Sequence, residues 1–298
     1  MKKKIAILIP HKGLGDLIFH YSFIKSIHKY HNKSITLFVN KSSKGDLIFK
    51  KNKIIKKVIN INLRRPNKFF YLFKIIKVFL KLYKYNFDTL YYTGNNKWHK
   101  ISFKLLMIFK DFKIYNYKNN EKYIINFLNY FLKKINIKNL TNNNLNIKDN
   151  VSVDFIKTLK SYKKPWIFLS IDTSEDQLQI PEKFLIKVIN KLDKKYGSIF
   201  INTSHKNINK TSFLKNQKII KTAKFDILEI NHIIKRCKQF IGNESGPAIL
   251  ACLYKKKSII FLNKNIIAES KMMPNIENRE YYYIERIKKD STNLINSI

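Results

Sequence analysis

A tight turn between an apolar run and a short apolar segment is the part of this sequence best suited to binding an anion. Residues 240–247 read FIGNESGP, and the apolar residues 248–253 follow as a predicted helix. Gly246 permits close approach of a backbone, and Pro247 suits the first turn of a helix, where its missing N–H is not needed. Free N–H groups and the helix dipole would hold a phosphate there. Glu244 would accept hydrogen bonds from hydroxyls, so the pattern is typical of a nucleotide-sugar site.

A second candidate group follows the first predicted strand. The apolar run 4–10 precedes Gly13, Leu14, Gly15 and Asp16, which open a predicted helix. A carboxylate in this position lies at the carboxyl edge of a parallel sheet, where such folds bind ligands. Aspartate at a helix start is also common as a plain cap without chemistry. The two glycines and the anion site in the other half favour a catalytic role over a plain cap. In that role the carboxylate takes a proton from an attacking hydroxyl.

Two polar loops in the second half are further candidates for holding a diphosphate. Thr173 and Ser174 follow the predicted strand 166–171, and Thr203 and Ser204 follow the next predicted strand. Their hydroxyls and backbone N–H groups suit phosphate oxygens, although polar loops of this composition are also common without a ligand. The seven histidines are scattered and show no metal-binding spacing, so we expect no metal site.

Alternating strands and helices are expected to position these groups. Apolar runs predict buried strands at 4–10, 35–39, 57–61, 88–93, 112–117, 166–171, 198–202, 218–221, 239–241 and 258–262. Helical patterns begin at residue 16 and recur at 67–85, 97–110, 181–195, 207–215, 226–236 and 248–253. This alternation predicts an α/β fold with doubly wound parallel sheets.

The Asn-rich segment 139–150 is the predicted linker between two domains. The expected division is 1–150 for the first domain and 151–275 for the second. The charged segment 276–298 contains three consecutive tyrosines, and we expect it to pack back toward the first domain.

Composition restricts the class of protein. Hydrophobic residues make up 45% of the 298 residues, which is not a disordered composition. No apolar run approaches the ~18 residues of a membrane span, and the basic start MKKKIAILIPHKG favours a first buried strand over a signal peptide. Two cysteines suggest no disulfide framework. A cytoplasmic protein is expected.

The net charge of +39 raises the possibility of nucleic-acid binding. Lysine outnumbers arginine and is spread through every segment, and no zinc-finger, helix-turn-helix or RNA-recognition signature appears. We therefore expect no nucleic-acid partner. A charge of this size still favours contact with anionic lipid.

Two helices of the first half are basic and amphipathic. Lysines recur at three- and four-residue spacing within 67–85 and 97–110, at Lys74, Lys77, Lys81, Lys84, Lys97, Lys100 and Lys104. Each helix alone is typical of a core helix with a solvated lysine face. Two such helices in one half also indicate a surface that lies against an anionic membrane. Both interpretations remain open from the sequence.

The two glycine-containing motifs together resemble those of the heptosyltransferase family, glycosyltransferase family 9. GLGDLI follows the first strand, and FIGNESGPAILACLYKKKSIIFL lies late in the chain. The resemblance covers the chain nearly end to end in the order and spacing of its segments. It implies a GT-B fold, with two Rossmann-like domains facing a cleft, the first binding the acceptor and the second a nucleotide-activated sugar.

The resemblance also implies roles for individual residues. Asp16 matches the catalytic base, and Gly13, Leu14 and Gly15 form the loop beside the acceptor. The residues that match the donor site are Thr173, Ser174, Thr203, Ser204, Glu244, Ser245, Gly246 and Pro247. The implied activity is inverting, metal-independent transfer of heptose or a similar sugar, with ADP-heptose as one candidate donor and no bound cofactor. The implied acceptor is a lipopolysaccharide core or another lipid-linked glycan at the inner membrane.

Several positions depart from the family pattern. Glu244 stands where the family has Asp, Ile249 where it has His, and Leu178 where it has a lysine that neutralises the donor phosphates. The family's Gly-Gly-Pro becomes Thr203-Ser204-His205. An alternative hypothesis is therefore a catalytically silent GT-B-fold protein that acts as a binding or scaffold component of a glycan-assembly system.

Overall fold

A computed structural model gives the structure of the chain as two compact units, Met1–Lys148 and Asp149–Ile298. The residues that the structure describes are 4–62, 70–118, 120–139, 145–148, 150–171, 180–202, 218–263, 268–273, 276–289 and 295. Each unit is an α/β domain built on a parallel sheet. The predicted fold class is confirmed, and the predicted boundary at 150 lies two residues from the observed one. The predicted cleft between the domains stays a prediction.

The first unit follows the alternation that the sequence predicts. Its strands are β1 (Ile5–Ile9), β2 (Ile35–Asn40), β3 (Ile55–Ile61), β4 (Thr89–Tyr92) and β5 (Lys113–Tyr115). Its helices are α1 (Leu14–His31), α2 (Gly45–Ile48), α3 (Tyr71–Tyr83), α4 (Lys97–Phe109) and α5 (Ile124–Lys134). The strand order is β3-β2-β1-β4-β5, and all pairs are parallel. β1 is therefore central, which explains why all five of its residues are buried and apolar.

The core on one face of this sheet is formed by α3 and α4. Ile75, Val78 and Leu82 of α3 pack with Phe103 and Leu106 of α4 against the strands. These positions recur every three or four residues, as expected for helices with one buried face. Within the predicted linker, the described apolar residues Leu145 and Ile147 are buried.

The second unit repeats the architecture with a larger sheet. Its strands are β6 (Trp166–Ser170), β7 (Ser198–Asn202), β8 (Ile219–Lys221), β9 (Gln239–Asn243), β10 (Lys257–Leu262) and β11 (Arg279–Tyr283). Its helices are α6 (Val153–Lys160), α7 (Glu182–Asp193), α8 (Ile227–Arg236), α9 (Gly246–Leu253) and α10 (Ile284–Lys289). The predicted helix 207–215 lies outside the described residues.

Local sequence explains why α8 begins where it does. Asp226 Oδ1 accepts hydrogen bonds from the N–H groups of Leu228 and Glu229, at 2.7 and 2.8 Å. Glu229 Oε2 in turn accepts from the Asp226 N–H at 2.8 Å. This reciprocal capping box satisfies N–H groups that a helix start would otherwise leave without partners.

The segment after residue 275 corrects the predicted domain division. Strand order in the second sheet is β11-β10-β9-β6-β7-β8, and β11 pairs in parallel with β10. Ile284 and Ile287 of α10 lie in the core of the same unit. The described residues 279–289 therefore belong to the second unit, whereas the sequence analysis gave 276–298 as a separate segment; its packing toward the first domain stays a prediction. A half-exposed edge strand needs no continuous apolar run, and so its sequence did not reveal it.

None of the helices in the described part of the chain is long and apolar enough to cross a membrane.

Candidate functional site

The carboxyl edge of the first sheet carries Asp16 in the first turn of α1. Gly13 is the N-cap residue, and Leu14, Gly15 and Asp16 are the first three helical residues. Asp16 Oδ2 accepts a hydrogen bond from the Gly13 N–H at 3.0 Å. A Cβ atom at Gly13 would lie only 2.9 Å from that oxygen, so glycine allows this close approach. The carboxylate therefore has a fixed orientation and remains half-exposed, as a base at a ligand-binding edge requires.

A buried histidine holds the same helical turn against β4. His20 has no exposed surface, and its Nδ1 lies 2.7 Å from the Asp16 carbonyl oxygen. Its Nε2 lies 2.9 Å from Thr93 Oγ1, just after β4. A carbonyl only accepts, so Nδ1 carries the proton and Nε2 accepts from the threonine. Burial, with a smaller effect of His11, lowers the pKa of His20 to about 3, so the ring is neutral.

Neighbouring strand ends complete this edge. The His11 ring lies 5.2 Å from the His20 ring, and its Nε2 is 3.3 Å from the Thr93 carbonyl oxygen. After β2, Ser42 Oγ donates to the Lys12 carbonyl oxygen at 3.2 Å. The loop 10–16 is thereby tied to the ends of both β2 and β4. This edge presents a carboxylate and an exposed lysine, Lys12, to solvent.

The carboxyl edge of the second sheet carries the turn that the sequence indicates as an anion site. β9 ends at Asn243, and α9 begins at Gly246 with Ser245 as its N-cap residue. The Ser245 hydroxyl donates to the Asn243 carbonyl oxygen at 3.0 Å rather than capping the helix. No side chain therefore caps the first helical N–H groups, and Pro247 occupies a first-turn position. Such a helix start suits the phosphates of a nucleotide.

Glu244 forms an internal contact that the sequence did not predict. Its Oε1 accepts from the Ser270 N–H at 2.8 Å, and its Oε2 accepts from the Ser270 hydroxyl at 2.6 Å. Arg279 of β11 donates to the carbonyl oxygens of Ser270 and Met273, at 2.8 and 3.0 Å. Burial raises the pKa of Glu244, while the Ser270 hydrogen bonds and the Arg279 charge lower it. The carboxylate therefore anchors the turn Glu269–Met272 beside α9.

Three strands end at the edge of the sheet that carries the turn after β9. A Cβ atom at Gly242 would lie 2.3 Å from the Ser170 carbonyl oxygen, so glycine lets β9 and β6 end close together. Asn202, at the end of β7, donates through Nδ2 to Ser170 Oγ at 3.4 Å. Asn243 Nδ2 donates to the Ile171 carbonyl oxygen at 3.4 Å. The carboxyl ends of β6, β7 and β9 thus lie at one edge of the sheet.

Some candidate residues lie outside the described part of the chain. These are Thr173, Ser174, Leu178, Thr203, Ser204 and His205. Their roles stay predictions; β6 pairs with β9, which ends just before Glu244, and β7 pairs with the other side of β6. Ile249, at the position where the resembled family has His, is buried within α9. It contributes to packing in this chain.

Sequence reasoning missed His20, Thr93, Ser270 and Arg279. His20 and Thr93 are 73 positions apart, and Ser270 is 26 positions from Glu244. Only the histidine had a local signal, because it lies four residues after Asp16 on the same helix face. Among the described residues, no group of three His, Cys, Asp or Glu side chains is arranged to hold a metal ion.

Comparison with solved structures identifies the fold. A glycosyl transferase family 9 structure from Veillonella parvula superposes with a TM-score of 0.76, at 13% identity, over 99% of this chain and 90% of that one. The E. coli ADP-heptose LPS heptosyltransferase II gives 0.70 at 10% identity, over 99% of both chains. A UDP-GlcNAc 2-epimerase from Methanocaldococcus jannaschii gives 0.60 at 14% identity, over 100% and 92%. The chain thus has the two-domain GT-B fold. No protein-family model and no curated protein sequence matches it.

Proposed function

We propose that this protein is a glycosyltransferase that moves a sugar from a nucleotide-sugar to an acceptor hydroxyl, with inversion and without a metal ion. The observation that carries the proposal is the Asp16 carboxylate, oriented by the Gly13 N–H and half-exposed at the carboxyl edge of the first sheet. The fold supports it, because two of the similar structures are enzymes named for a nucleotide-sugar, ADP-heptose in one case and UDP-GlcNAc in the other.

The reaction follows from a base and an anion site. The acceptor oxygen attacks the anomeric carbon from the face opposite the diphosphate, and its proton passes to Asp16. The bond from the anomeric carbon to the diphosphate oxygen breaks, and the nucleoside diphosphate leaves with that electron pair. A single displacement of this kind inverts the anomeric carbon. His20 keeps the Asp16 turn in place through its hydrogen bonds at both ring nitrogens.

The leaving diphosphate gains negative charge, and the start of α9 would stabilise it. N–H groups of Gly246 and Ala248 lie in the first turn, where the helix dipole favours an anion. Stabilising developing charge with fixed dipoles is commonly the largest contribution to such catalysis. Ser245, together with Thr173, Ser174, Thr203 and Ser204, completes the proposed donor site.

The proposed substrates follow the family resemblance. The sugar is heptose or a similar one, with ADP-heptose as a candidate donor. The acceptor is a lipopolysaccharide core or another lipid-linked glycan. We place the protein in the cytoplasm at the inner membrane, where such an acceptor is made.

A second candidate function is a catalytically silent protein that keeps the fold as a binding or scaffold component. Two observations favour it. Ile249 is buried in α9, and both Glu244 carboxylate oxygens accept hydrogen bonds from Ser270. A silent protein of this kind need not bind a nucleotide.

Substituting the base tests the transferase proposal. Asp16→Asn keeps an oxygen that can accept from the Gly13 N–H but removes the basicity of the carboxylate. We expect transfer to fall by about 10²- to 10⁴-fold while nucleotide binding is retained. Asp46→Asn is the matched control, because Asp46 is an exposed acid in the first turn of α2 and should leave transfer unchanged. Equal activity of Asp16→Asn and wild type would remove Asp16 from this role.

A nucleotide screen separates the candidate functions. Thermal shifts are measured with ADP-, GDP-, UDP- and CDP-sugars, since a ligand that binds only the folded state raises its stability. Stabilisation by one nucleotide class, with glycan product formed by that donor, supports the transferase. Absence of any nucleotide effect supports the silent protein. Conversion of the donor to an isomer without acceptor would instead indicate an epimerase.

A further inference from the structure

The helix pair α3 and α4 exposes many large apolar side chains on the first unit. Leu72 and Phe73 are 68% and 66% exposed, and Ile108 is 72% exposed. The exposed apolar residues of this pair and the residue before it are Phe70, Leu72, Phe73, Ile76, Leu80, Tyr83, Ile101, Met107, Ile108 and Phe109. Isolated apolar side chains are normal on a protein surface, but a contiguous group on two adjacent helices indicates an interaction site.

Contacts between the two helices fix them as one surface. Ser102 Oγ donates to the Ile75 carbonyl oxygen at 3.1 Å. Lys110 donates to the carbonyl oxygens of Tyr83 and Tyr85, and its ammonium lies 4.7 Å from the Tyr83 ring centroid. These contacts align residue 75 with 102 and residue 83 with 110, so the helices run side by side in the same direction. Their exposed faces therefore form a single surface, called the α3–α4 face below.

Helix geometry orders the side chains across this face. At 3.6 residues per turn, Leu72, Ile76, Leu80 and Tyr83 share the side of α3 that faces α4 and solvent. On α4, Phe109 lies beside the Tyr83 ring, with 6.3 Å between the ring centroids, while Ile101 and Ile108 lie on the solvent side. The apolar side chains of both helices thus meet in the middle of the α3–α4 face.

Lysines border this apolar centre on α3 and alternate with its apolar side chains on α4. On α3 and just after it, Lys77, Lys81 and Lys84 are exposed on the side away from α4. On α4, Lys97 and Lys104 are exposed on the same stripe as Ile101 and Ile108, because positions 97, 101, 104 and 108 recur every three or four residues. Lys74, which the sequence placed in the same stripe, is half-buried and donates to the Asn62 carbonyl oxygen at 3.3 Å.

Acidic side chains are nearly absent from this part of the sequence. Between residues 70 and 110 the only acidic residue is Asp88. Asp88 Oδ2 accepts from the Lys4 N–H at 2.6 Å, at the amino ends of β1 and β4. Asp111 follows directly after α4 and is exposed, but the lysines of the face outnumber it, so the charge of the face is positive.

We propose that the α3–α4 face binds the surface of an anionic lipid bilayer. An apolar centre bordered by lysines matches the boundary of a bilayer, where apolar side chains enter the acyl region and ammonium groups reach the phosphates. The positive border argues for an anionic occupant and against a second copy of this chain, whose own α3–α4 face would carry the same charge. The proposal does not depend on the transferase activity, because vesicle binding is measured without substrate.

Vesicle sedimentation tests the contribution of charge. Wild-type protein should bind vesicles containing phosphatidylglycerol at 100 mM salt and not vesicles of phosphatidylcholine alone. Substituting three lysines of the face by glutamine should weaken binding about 100-fold. A matched control replaces three other exposed lysines by glutamine, two in α7 and one directly after it. This control should change vesicle binding by less than about 3-fold. The test variant is Lys77→Gln, Lys81→Gln, Lys104→Gln; the control is Lys183→Gln, Lys187→Gln, Lys194→Gln.

Tryptophan substitutions test the contribution of apolar insertion. Leu80→Trp places a probe at the apolar centre, and Ile186→Trp places one at an exposed apolar position on α7. Vesicles containing phosphatidylglycerol should shift the emission of the first probe to shorter wavelength and leave that of the second unchanged. Both positions are exposed, so neither substitution disturbs a core.

Results of two kinds would overturn the proposal. One is equal weakening of vesicle binding by the two lysine variants, or no emission change of the Leu80→Trp probe on bound vesicles, since either would show that the net charge alone brings the protein to lipid. The other is a concentration-dependent dimer in sedimentation velocity that Leu72→Ser with Ile108→Ser abolishes, since the face would then bind a second copy.

Discussion

Acidification from pH 7 to pH 5 should destabilise the first unit, because two of its histidines are buried as neutral rings. His20 is enclosed between the Asp16 carbonyl oxygen and Thr93 Oγ1. His99 is also fully buried, and its Nδ1 lies 2.6 Å from the Tyr92 hydroxyl. Burial, with a smaller effect of His11, lowers the pKa of His20 from 6.5 to about 3, and burial alone does the same for His99.

The sign follows from proton uptake on unfolding. Below pH 6.5 the two histidines are protonated in the unfolded chain, whereas in the folded chain they stay neutral down to about pH 3. The stability that they contribute is therefore present above pH 6.5 and is lost as the pH falls. Each histidine contributes a slope of about 1.4 kcal/mol per pH unit in this window. Integrated from pH 7 to pH 5, the loss is about 2 kcal/mol for each histidine and about 4 kcal/mol for both.

Urea unfolding followed by fluorescence measures this loss. The chain contains two tryptophans, so a Trp166→Phe background leaves buried Trp98, beside His99, as the probe of the first unit. His20→Gln in that background should halve the drop in unfolding free energy between pH 7 and pH 5. The difference between the two proteins at pH 8 gives the structural cost of the substitution alone. A drop below about 1 kcal/mol, or one that His20→Gln leaves unchanged, would refute the assignment of neutral buried histidines.

Two further predictions concern the second unit. Ser270→Ala removes the 2.6 Å hydrogen bond to the Glu244 carboxylate and should lower the unfolding free energy measured in urea by about 1.5–3 kcal/mol. This loss should be smaller in a Glu244→Gln background. Equal losses in both backgrounds would show that the two side chains are not coupled. Gly242→Ala would place a Cβ atom 2.3 Å from the Ser170 carbonyl oxygen, which would force β9 and β6 apart. The unfolding free energy should fall by about 1–3 kcal/mol. Nucleotide binding, measured by thermal shift, should also weaken. An unchanged melting temperature would contradict the close approach.

Much of the fold was predictable because its determinants are local. The apolar run at 4–10 became β1, and it is continuous because a central strand of a parallel sheet is covered on both faces. Asp226 and Glu229 mark the start of α8 through hydrogen bonds within one turn. The helix start at Gly246 was visible because Pro247 suits the first turn of a helix. By contrast, β11 is an edge strand that depends on pairing with β10, and its charged sequence carries no such signal.

The candidate site divides in the same way. Asp16 and the residues 245–247 were found from sequence, because a glycine, a carboxylate and a helix start lie within a few positions of one another. The partner of Glu244 was not, because Ser270 is 26 positions away and is brought to it by the turn after β10. Glu244 was expected to meet the hydroxyls of a ligand, and the structure shows it accepting from a hydroxyl of the chain itself.

By itself, the sequence determined the order of strands β1 to β10, several of the helix starts and the positions of the two glycine-containing turns. Each of these depends on side-chain periodicity or on hydrogen bonds within one or two turns of backbone. Only the tertiary structure decided which apolar residues of α3 and α4 face the sheet and which face solvent. Ile75 and Leu72 are alike in sequence, yet the first is buried in the core and the second lies on the α3–α4 face. Burial is a property of what packs against a residue, and that partner is chosen by contacts distant in the chain.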